Sequence, residues 1–324
     1  MKVTVRRLLD EPIIRPHMDE RMGDNINGPA LIRVPDWVPN ALGRYYLYFS
    51  DHKGRYIRLA FADDLTGPWQ IYSPGALDIT QSLFPAEDPE PLAPEDRPPW
   101  AEKMLGGYLY AHIASPDVHV DEEQKVIRMY YHGLLWNGDQ ETRLAESPDG
   151  LTFTAKEPLL GPPYFRAFCY GAHVYVITWG GALWRAEDWV GPFEAGPTPF
   201  PFAVLGGIGE GFRHGEVFCR PEQNLLHVFY TRMGDCPERI LHSQIDLRGD
   251  WFGWEAGESR LMLSPEMPWE GGDLPLERSV MGAAPGPVRQ LRDPCVFQDE
   301  DGRTYMLYCG AGECGIGLAE VKGV

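Results

Sequence analysis

No stretch of the chain is apolar for long enough to cross a bilayer as a helix, and the opening MKVTVRRLLDEPIIRP lacks the apolar run of a secretory leader. Membrane insertion is not expected, and the expected location is the cytoplasm. Positive charge is scarce: 29 Lys and Arg stand against 47 Asp and Glu, a formal net charge of -18. A surface of that sign repels phosphate backbones and anionic lipid heads, so neither nucleic acid nor membrane is an expected partner. The six cysteines, at 169, 219, 236, 295, 309 and 314, form no C-x-x-C array of the zinc kind and read as reduced, mostly buried thiols. Nine histidines are scattered without a helical metal-binding pair, and no Asp-rich loop demands calcium. Phosphate-cradling, dinucleotide-binding and G-x-S-x-G motifs are missing too, so no cofactor or metal is expected.

What the chain does have is turns and short apolar runs. Its 324 residues include 36 Gly and 30 Pro, and 44% are hydrophobic, a composition that favours an all-β fold with a substantial core. Five apolar-aromatic runs read as strands: 45–50 (YYLYFS), 128–133 (RMYYHG), 174–179 (VYVITW), 226–231 (LHVFYT) and 304–309 (TYMLYC). Each is followed by a short polar or Gly-rich turn and a further strand, at 56–62, 142–147, 182–187, 239–244 and 315–321. Ahead of each lies a shorter apolar segment, at 30–34, 118–120, 168–170, 217–219 and 296–298. Outer turns recur as well, at 64–69 (DLTGPW), 149–153 (DGLTF) and 188–193 (DWVGPF).

Self-similarity of this kind predicts a five-bladed β-propeller spanning 1–324 as one domain, with 3–9 supplying the outer strand of the last blade and closing the ring. The long connectors near 73–108 and 255–290, rich in Pro, Glu and Trp, suit loops on a functional face.

Three short strings stand before inner or second strands: Asn27-Gly28-Pro29-Ala30-Leu31-Ile32, Ser115-Pro116-Asp117-Val118 and Leu291-Arg292-Asp293-Pro294. With the turn at 64–69, they resemble the superfamily of five-bladed glycosidases that includes glycoside hydrolase families 43, 32, 68, 117 and 130. The resemblance spans essentially the whole chain, and its specificity lies in the set rather than in any one motif. It implies catalytic carboxylates at the starts of the innermost strands, around a central funnel, with a saccharide as substrate or ligand. Relatives hold a central calcium or other ion.

Glycoside hydrolysis needs one group to protonate the leaving oxygen and another to act on the opposite side of the anomeric carbon. Aligning the units by their second strands makes Gly28, Ser115, Arg166, His214 and Asp293 equivalent, with Ala30, Asp117, Phe168, Glu216 and Cys295 two places on. Family 43 implies an Asp where this chain has Gly28, and an acidic Glu in the fourth unit, which here reads Arg213-His214-Gly215-Glu216. Only Asp293 stands where the resemblance puts a carboxylate. Either Glu216 or His214 then supplies the acid, the second option resembling family 117.

The candidate catalytic residues are therefore Asp293, His214, Glu216 and Asp117, although Asp293 and Asp117 also suit turn chemistry. Turns after the second strands would rim the funnel, which adds Asp51, His52, His132, Trp136, Trp179, Arg232 with Asp235, and Glu313 to Asn27 as candidate binding residues. Trp136 and Trp269 are candidate sugar platforms. Arg166, Arg213 and Arg292 would bring cationic forks toward one funnel and favour a small or anionic saccharide, salt bridges to neighbouring acids being the alternative. Three readings stay open: a glycosidase using Asp293 with His214 or Glu216, a non-catalytic saccharide-binding propeller, and a lyase or epimerase with His214 as base.

Overall fold

The structure, a computed structural model, describes residues 2–91, 93, 109–201, 211–284 and 286–324. Parts of both long connectors, at 92, 94–108 and 285, lie outside the described residues.

Among the described residues, twenty-one strands make five antiparallel sheets arranged as a five-bladed propeller. The first blade runs outward through β2 (Asn27–Arg33), β3 (Tyr45–Ser50), β4 (Tyr56–Ala62) and β5 (Gln70–Ile71), with β6 (Leu77–Asp78) also pairing β4. The second holds β7 (Ile113–Asp121), β8 (Val126–Leu134), β9 (Gln140–Ser147) and β10 (Thr154–Ala155). The third, the most compact, holds β11 (Arg166–Tyr170), β12 (His173–Ile177), β13 (Leu183–Ala186) and β14 (Glu194–Ala195). The fourth holds β15 (Gly211–Arg220), β16 (Leu225–Met233), β17 (Ile240–Asp246) and β18 (Arg260–Leu263). In the fifth, β19 (Arg292–Gln298), β20 (Thr304–Cys309) and β21 (Ile316–Lys322) are completed by β1 (Thr4–Arg7), which pairs Thr4 with Lys322 and Arg7 with Ala319. That last pairing closes the ring and covers the edge that β21 would otherwise expose.

The second strands are continuous apolar runs because both of their faces are covered. All six residues of β3 and all six of β20 are buried, whereas the outer β1 alternates exposed and half-buried positions. Five apolar clusters each fill one contact between adjacent blades, for example Tyr46, Leu59 and Met129 between the first and second. A propeller core is thus a set of wedges between sheets, and the centre is left to polar groups.

The entry into that centre is set by a recurring β-bulge. In four inner strands two residues oppose a single partner: Gly28-Pro29 face Phe49, Ser115-Pro116 face Tyr131, Arg213-His214 face Thr231, and Asp293-Pro294 face Tyr308. Proline suits the second bulge position because it gives up no ladder hydrogen bond there. The first position is left-handed in three blades, with φ of 57° at Gly28, 50° at Ser115 and 46° at Asp293. Two non-glycine residues in that region are a local strain of the kind found at ligand sites. The third blade has no bulge and begins directly at Arg166, paired with Ile177. This geometry corrects the alignment of the fourth unit by one residue. Arg213, not His214, is the counterpart of Asp293, and Gly215, not Glu216, is the counterpart of Cys295.

Trp269 belongs to packing. Its ring lies 5.7 Å from that of Tyr308, and a Cβ on Gly317 would sit 2.5 Å from the indole, with the one on Gly310 at 2.3 Å. It is not a sugar platform. Gly317→Ala is expected to cost about 1–3 kcal/mol by overpacking, read as a lowered Tm in thermal unfolding. An unchanged Tm would mean that the indole is free to move aside.

Candidate active site

The inner strands start at one mouth of the central channel, so their bulges make the floor of a funnel there. Ser50 Oγ donates to Asn27 Oδ1 at 2.6 Å and accepts from the Ser115 amide at 3.1 Å, tying the first two blades together. A Cβ on Gly28 would stand 3.0 Å from the Ser115 Cα. The first blade therefore leaves little room for a carboxylate at this position, because Ser115 of the second blade packs against the glycine.

Above this floor, six rings follow one another around a cavity of about 240 Å³. From His52 to Tyr110, His112, His132, Tyr164 and His214, successive ring centres are 6.5, 4.9, 5.6, 4.5 and 5.3 Å apart. Asn27, Arg213 and Trp179 also line it, with Asp139 and Gln140 at the edge. Tyr164 stacks on His132 and holds a left-handed backbone, φ 66°, that turns its ring into the gap between His132 and His214. Burial pushes its hydroxyl up to about 12.

Two carboxylates close the collar from beneath. His214 Nδ1 lies 3.2 Å from Asp293 Oδ1, off the line of a hydrogen bond, and His52 Nδ1 lies 3.4 Å from Glu313 Oε1. His112 Nδ1 is 2.8 Å from the Tyr110 carbonyl. Each of these imidazoles has its Nδ1 edge turned toward an oxygen, which leaves Nε2 as the edge for the cavity. Burial, reinforced by Arg213 and Arg292, holds His214 well below its ordinary range and therefore neutral. Burial takes His112 down to about 4. Asp293 moves the other way: burial and the nearby Glu313 charge push it up to about 6. Glu313 also meets the cost of burial, but His52 and Arg292 outweigh it and keep this carboxyl well below its usual value.

The arginines expected to face the substrate are spent inside. Arg292, 1% exposed, donates to Glu313 at 2.8 Å and to Gln290 at 2.7 Å, and lies 3.6 Å from Glu238. Arg213 donates to Glu238 at 3.2 Å and to the carbonyls of Val280 and Gly282 at 2.8 and 2.5 Å. Arg166 donates to the carbonyls of Phe165 and Ser115. Of the three, only Arg213 lines the cavity.

The four candidate catalytic residues divide into two groups. His214 and Asp293 meet at the funnel, whereas Asp117 and Glu216 line a depression at the opposite mouth, together with Cys169, Cys219 and Cys295. Asp117 accepts from His119 Nε2 and from the Ala167 amide, both at 2.9 Å. Burial works to raise its pKa, but His119, Arg166 and the amide prevail and lower it. Burial and the Asp117 charge raise Glu216. Asp51 is turned away from the funnel, toward Arg58 at 3.2 Å. Arg232 pairs with Asp235 at 2.9 Å beside the cavity-lining Met233, and Trp136 stands 62% exposed without lining the cavity. Among the described residues all six cysteines are free, and only Cys295 and Cys309 are buried.

Sequence reading missed Tyr110, His112, Tyr164 and Glu238. The first two lie at the end of the long connector predicted to serve the functional face, and Met281 and Gly282 of the other connector also line the cavity. Tyr110, His112 and Ala114 share the two-residue period of a strand that begins only at Ile113, so a longer window would have found them. Tyr164 precedes its strand in an irregular turn and carries no such signal.

Among the described residues no three His, Cys, Asp or Glu side chains converge as metal ligands. No helix of the described residues is long and apolar enough to cross a membrane.

No protein-family model matches the chain. It is 35% identical over 317 residues to the uncharacterized protein R118 of Acanthamoeba polyphaga mimivirus, covering 92% of this chain and 83% of that protein. Among solved structures, it resembles a family 43 β-xylosidase/α-arabinofuranosidase from a compost metagenome, solved with xylotriose, at a TM-score of 0.57 and 13% identity over 98% of this chain and 95% of the other. A family 43 enzyme from Xanthomonas citri gives 0.57 at 12% identity, covering 95% and 91%. An N-acetylgalactosamine deacetylase from F. plautii, solved with blood group B trisaccharide, gives 0.55 at 11% identity, covering 98% and 95%. At these identities the likeness is one of fold.

Because Glu216 holds its proton more tightly when folded than when unfolded, it favours the fold at low pH and loses that contribution as pH rises past the ordinary carboxylate range. Glu216→Gln should therefore gain in Tm relative to the parent as pH increases. A gap that stays constant from acid to mildly alkaline pH would contradict the raised value.

Proposed function

The chain belongs to the family of the mimivirus protein R118, and from the chemistry of its funnel we propose that it is a glycoside hydrolase acting on a small saccharide whose buried unit is uncharged. The observation that carries the proposal is the neutral His214 imidazole set 3.2 Å above Asp293, at the base of a cavity collared by hydrogen-bonding rings. A volume of about 240 Å³ lies at the small end of ligand pockets and suits a single sugar unit. Tyrosine, histidine and tryptophan rings offer apolar faces to sugar C–H groups and polar edges to hydroxyls. With the three arginines engaged by internal acids and carbonyls, the funnel favours a neutral ring over a uronate, which argues against a lyase.

In this reading His214 is the base. It takes a proton from the attacking water through Nε2, and Asp293, ionised above about pH 6, stabilises the imidazolium that forms. The long Nδ1 contact is of the sort that tightens once substrate is bound. His52, 3.4 Å from Glu313 and lining the same cavity, is the group placed to pass a proton to the leaving oxygen. Two histidine–carboxylate pairs thus do the work that two carboxylates do in most glycosidases. Gly28, standing at the bulge position where the resemblance puts an acid, favours a second reading, a propeller that binds saccharide without cleaving it.

His214→Ala and Asp293→Asn are each expected to lower kcat/KM on a responsive aryl glycoside by about 100-fold or more, with saccharide affinity retained. Full turnover in both variants would remove the assignment, and saccharide binding without turnover in the parent would establish the second reading.

Activity should also fall as pH drops through about 6, where Asp293 takes up its proton, and Asp293→Asn should flatten that limb of the profile. An acid limb unchanged in this variant would assign it to another group.

A further inference from the structure

The turn that carries His52 into the funnel has another side. Asp51, Lys53 and Gly54 border a separate cleft, whose described lining carries Arg21, Lys53, Arg55 and Arg58 with the carboxylates Asp51 and Asp78, and Asp19 accepts from the Arg21 amide beside it. Even without Lys53, the cations Arg21, Arg55 and Arg58 outnumber the lining acids Asp51 and Asp78, on a chain whose formal net charge is -18. Such a local reversal of sign attracts and retains anions against the field of the whole molecule.

The acids in this cleft are already engaged. Asp51 accepts from Arg58 at 3.2 Å and from the Lys53 amide at 2.8 Å. Asp78 accepts from the amide and hydroxyl of Thr80 at 3.1 and 2.8 Å and lies 3.5 Å from Arg21. Arg58, 3% exposed, is fixed by the carbonyls of Met22, Asn25 and Ser50 and supplies field rather than a free donor. Arg21 is pre-set, its guanidinium 3.9 Å over the Tyr56 ring and anchored to the carbonyls of Ser73 and Pro74. Arg55 is exposed, donates to the Ala86 carbonyl and has no carboxylate partner among the described residues. Guanidinium groups held by stacking and carbonyls lose little freedom when they take up an oxyanion.

The cleft is also wired to the funnel. Arg58 bonds the Asn25 carbonyl at 2.6 Å, and Asn25 in turn accepts from the His52 amide at 2.8 Å and donates to Glu313 at 2.5 Å. Lys53 sets its ammonium 4.9 Å from the ring of Tyr110, a member of the collar. We propose that this cleft binds a tetrahedral oxyanion, a phosphate or sulfate group, beside the saccharide funnel. The proposal extends the reading of the funnel as a saccharide site, since the group is either a substituent on the sugar chain or the free ion.

Calorimetry at low ionic strength with inorganic phosphate, inorganic sulfate, glucose and glucose 6-phosphate tests it. Saturable binding of phosphate or sulfate is expected, weakening at least about tenfold in Arg55→Ala and further in the Arg21→Ala/Arg55→Ala pair, and weakening with added salt. Glucose 6-phosphate binding more tightly than both glucose and free phosphate identifies a sugar-borne group, and equal affinity for free and esterified phosphate identifies the ion itself. Absence of saturable oxyanion binding, or binding unchanged in folded Arg55→Ala, would overturn the proposal. His214→Ala should leave oxyanion binding intact, so failure of the funnel chemistry and failure of this cleft are read separately.

Discussion

The site rests on a buried ion network beneath the funnel. Arg213 and Arg292, side by side on neighbouring blades, would repel each other in an apolar interior, and Glu238 between them with Glu313 beyond makes the pair tolerable. Buried charges persist only when they are paired and hydrogen-bonded. Burial sets the direction at His214 and Asp293, and this arrangement adds to it. The two cations help keep His214 neutral, and Glu313 helps raise Asp293 while remaining ionised itself. The same pairing uses up the guanidinium groups, which is why a funnel ringed by arginines in sequence presents mainly imidazole, phenol and indole to a ligand.

The fold is that of the five-bladed family 43 enzymes, and the mouth of this chain is set by its own inner-strand bulges. The bulge that presents a residue at the start of each inner strand is a backbone device, and it accepts any side chain that tolerates the left-handed region or sits beside a proline. Here it presents glycine, serine, arginine and aspartate. At Gly28 a larger side chain would meet the Ser115 backbone, so the position is closed by its neighbour as well as uncharged. At the junction of the fourth and fifth blades the same device brings His214 and Asp293 together. A scaffold that holds its centre by polar contacts between blades can exchange one set of mouth residues for another without disturbing the apolar wedges that stabilise it.

The strand pattern was legible because each second strand is covered on both faces and therefore reads as a run of buried aromatic and aliphatic residues. The runs at 45–50 and 304–309 match β3 and β20 residue for residue, and the closing role of 3–9 appears as β1. The inner strands were harder. Their polar, bulged starts break the two-residue period, so 118–120 was expected where β7 runs from Ile113 to Asp121. A bulge shifts side chains by one place, and without a proline to mark it the fourth unit was aligned one residue out of register.

The sequence by itself determined the five-fold repeat, the ring closure and the presence of His214, Asp293, His52, His132, Asn27 and Arg213 near one mouth, since strand period and turn chemistry are local properties. Tertiary structure alone decided which of these meet. It sent Asp117 and Glu216 to the far mouth, turned Asp51 outward, and brought Tyr110, His112 and Tyr164 into a collar. Distances across a propeller's centre join residues from different blades, and no local pattern records them. Charge compensation between blades likewise assigned Arg292 and Glu313 to each other, leaving mainly rings to line the cavity.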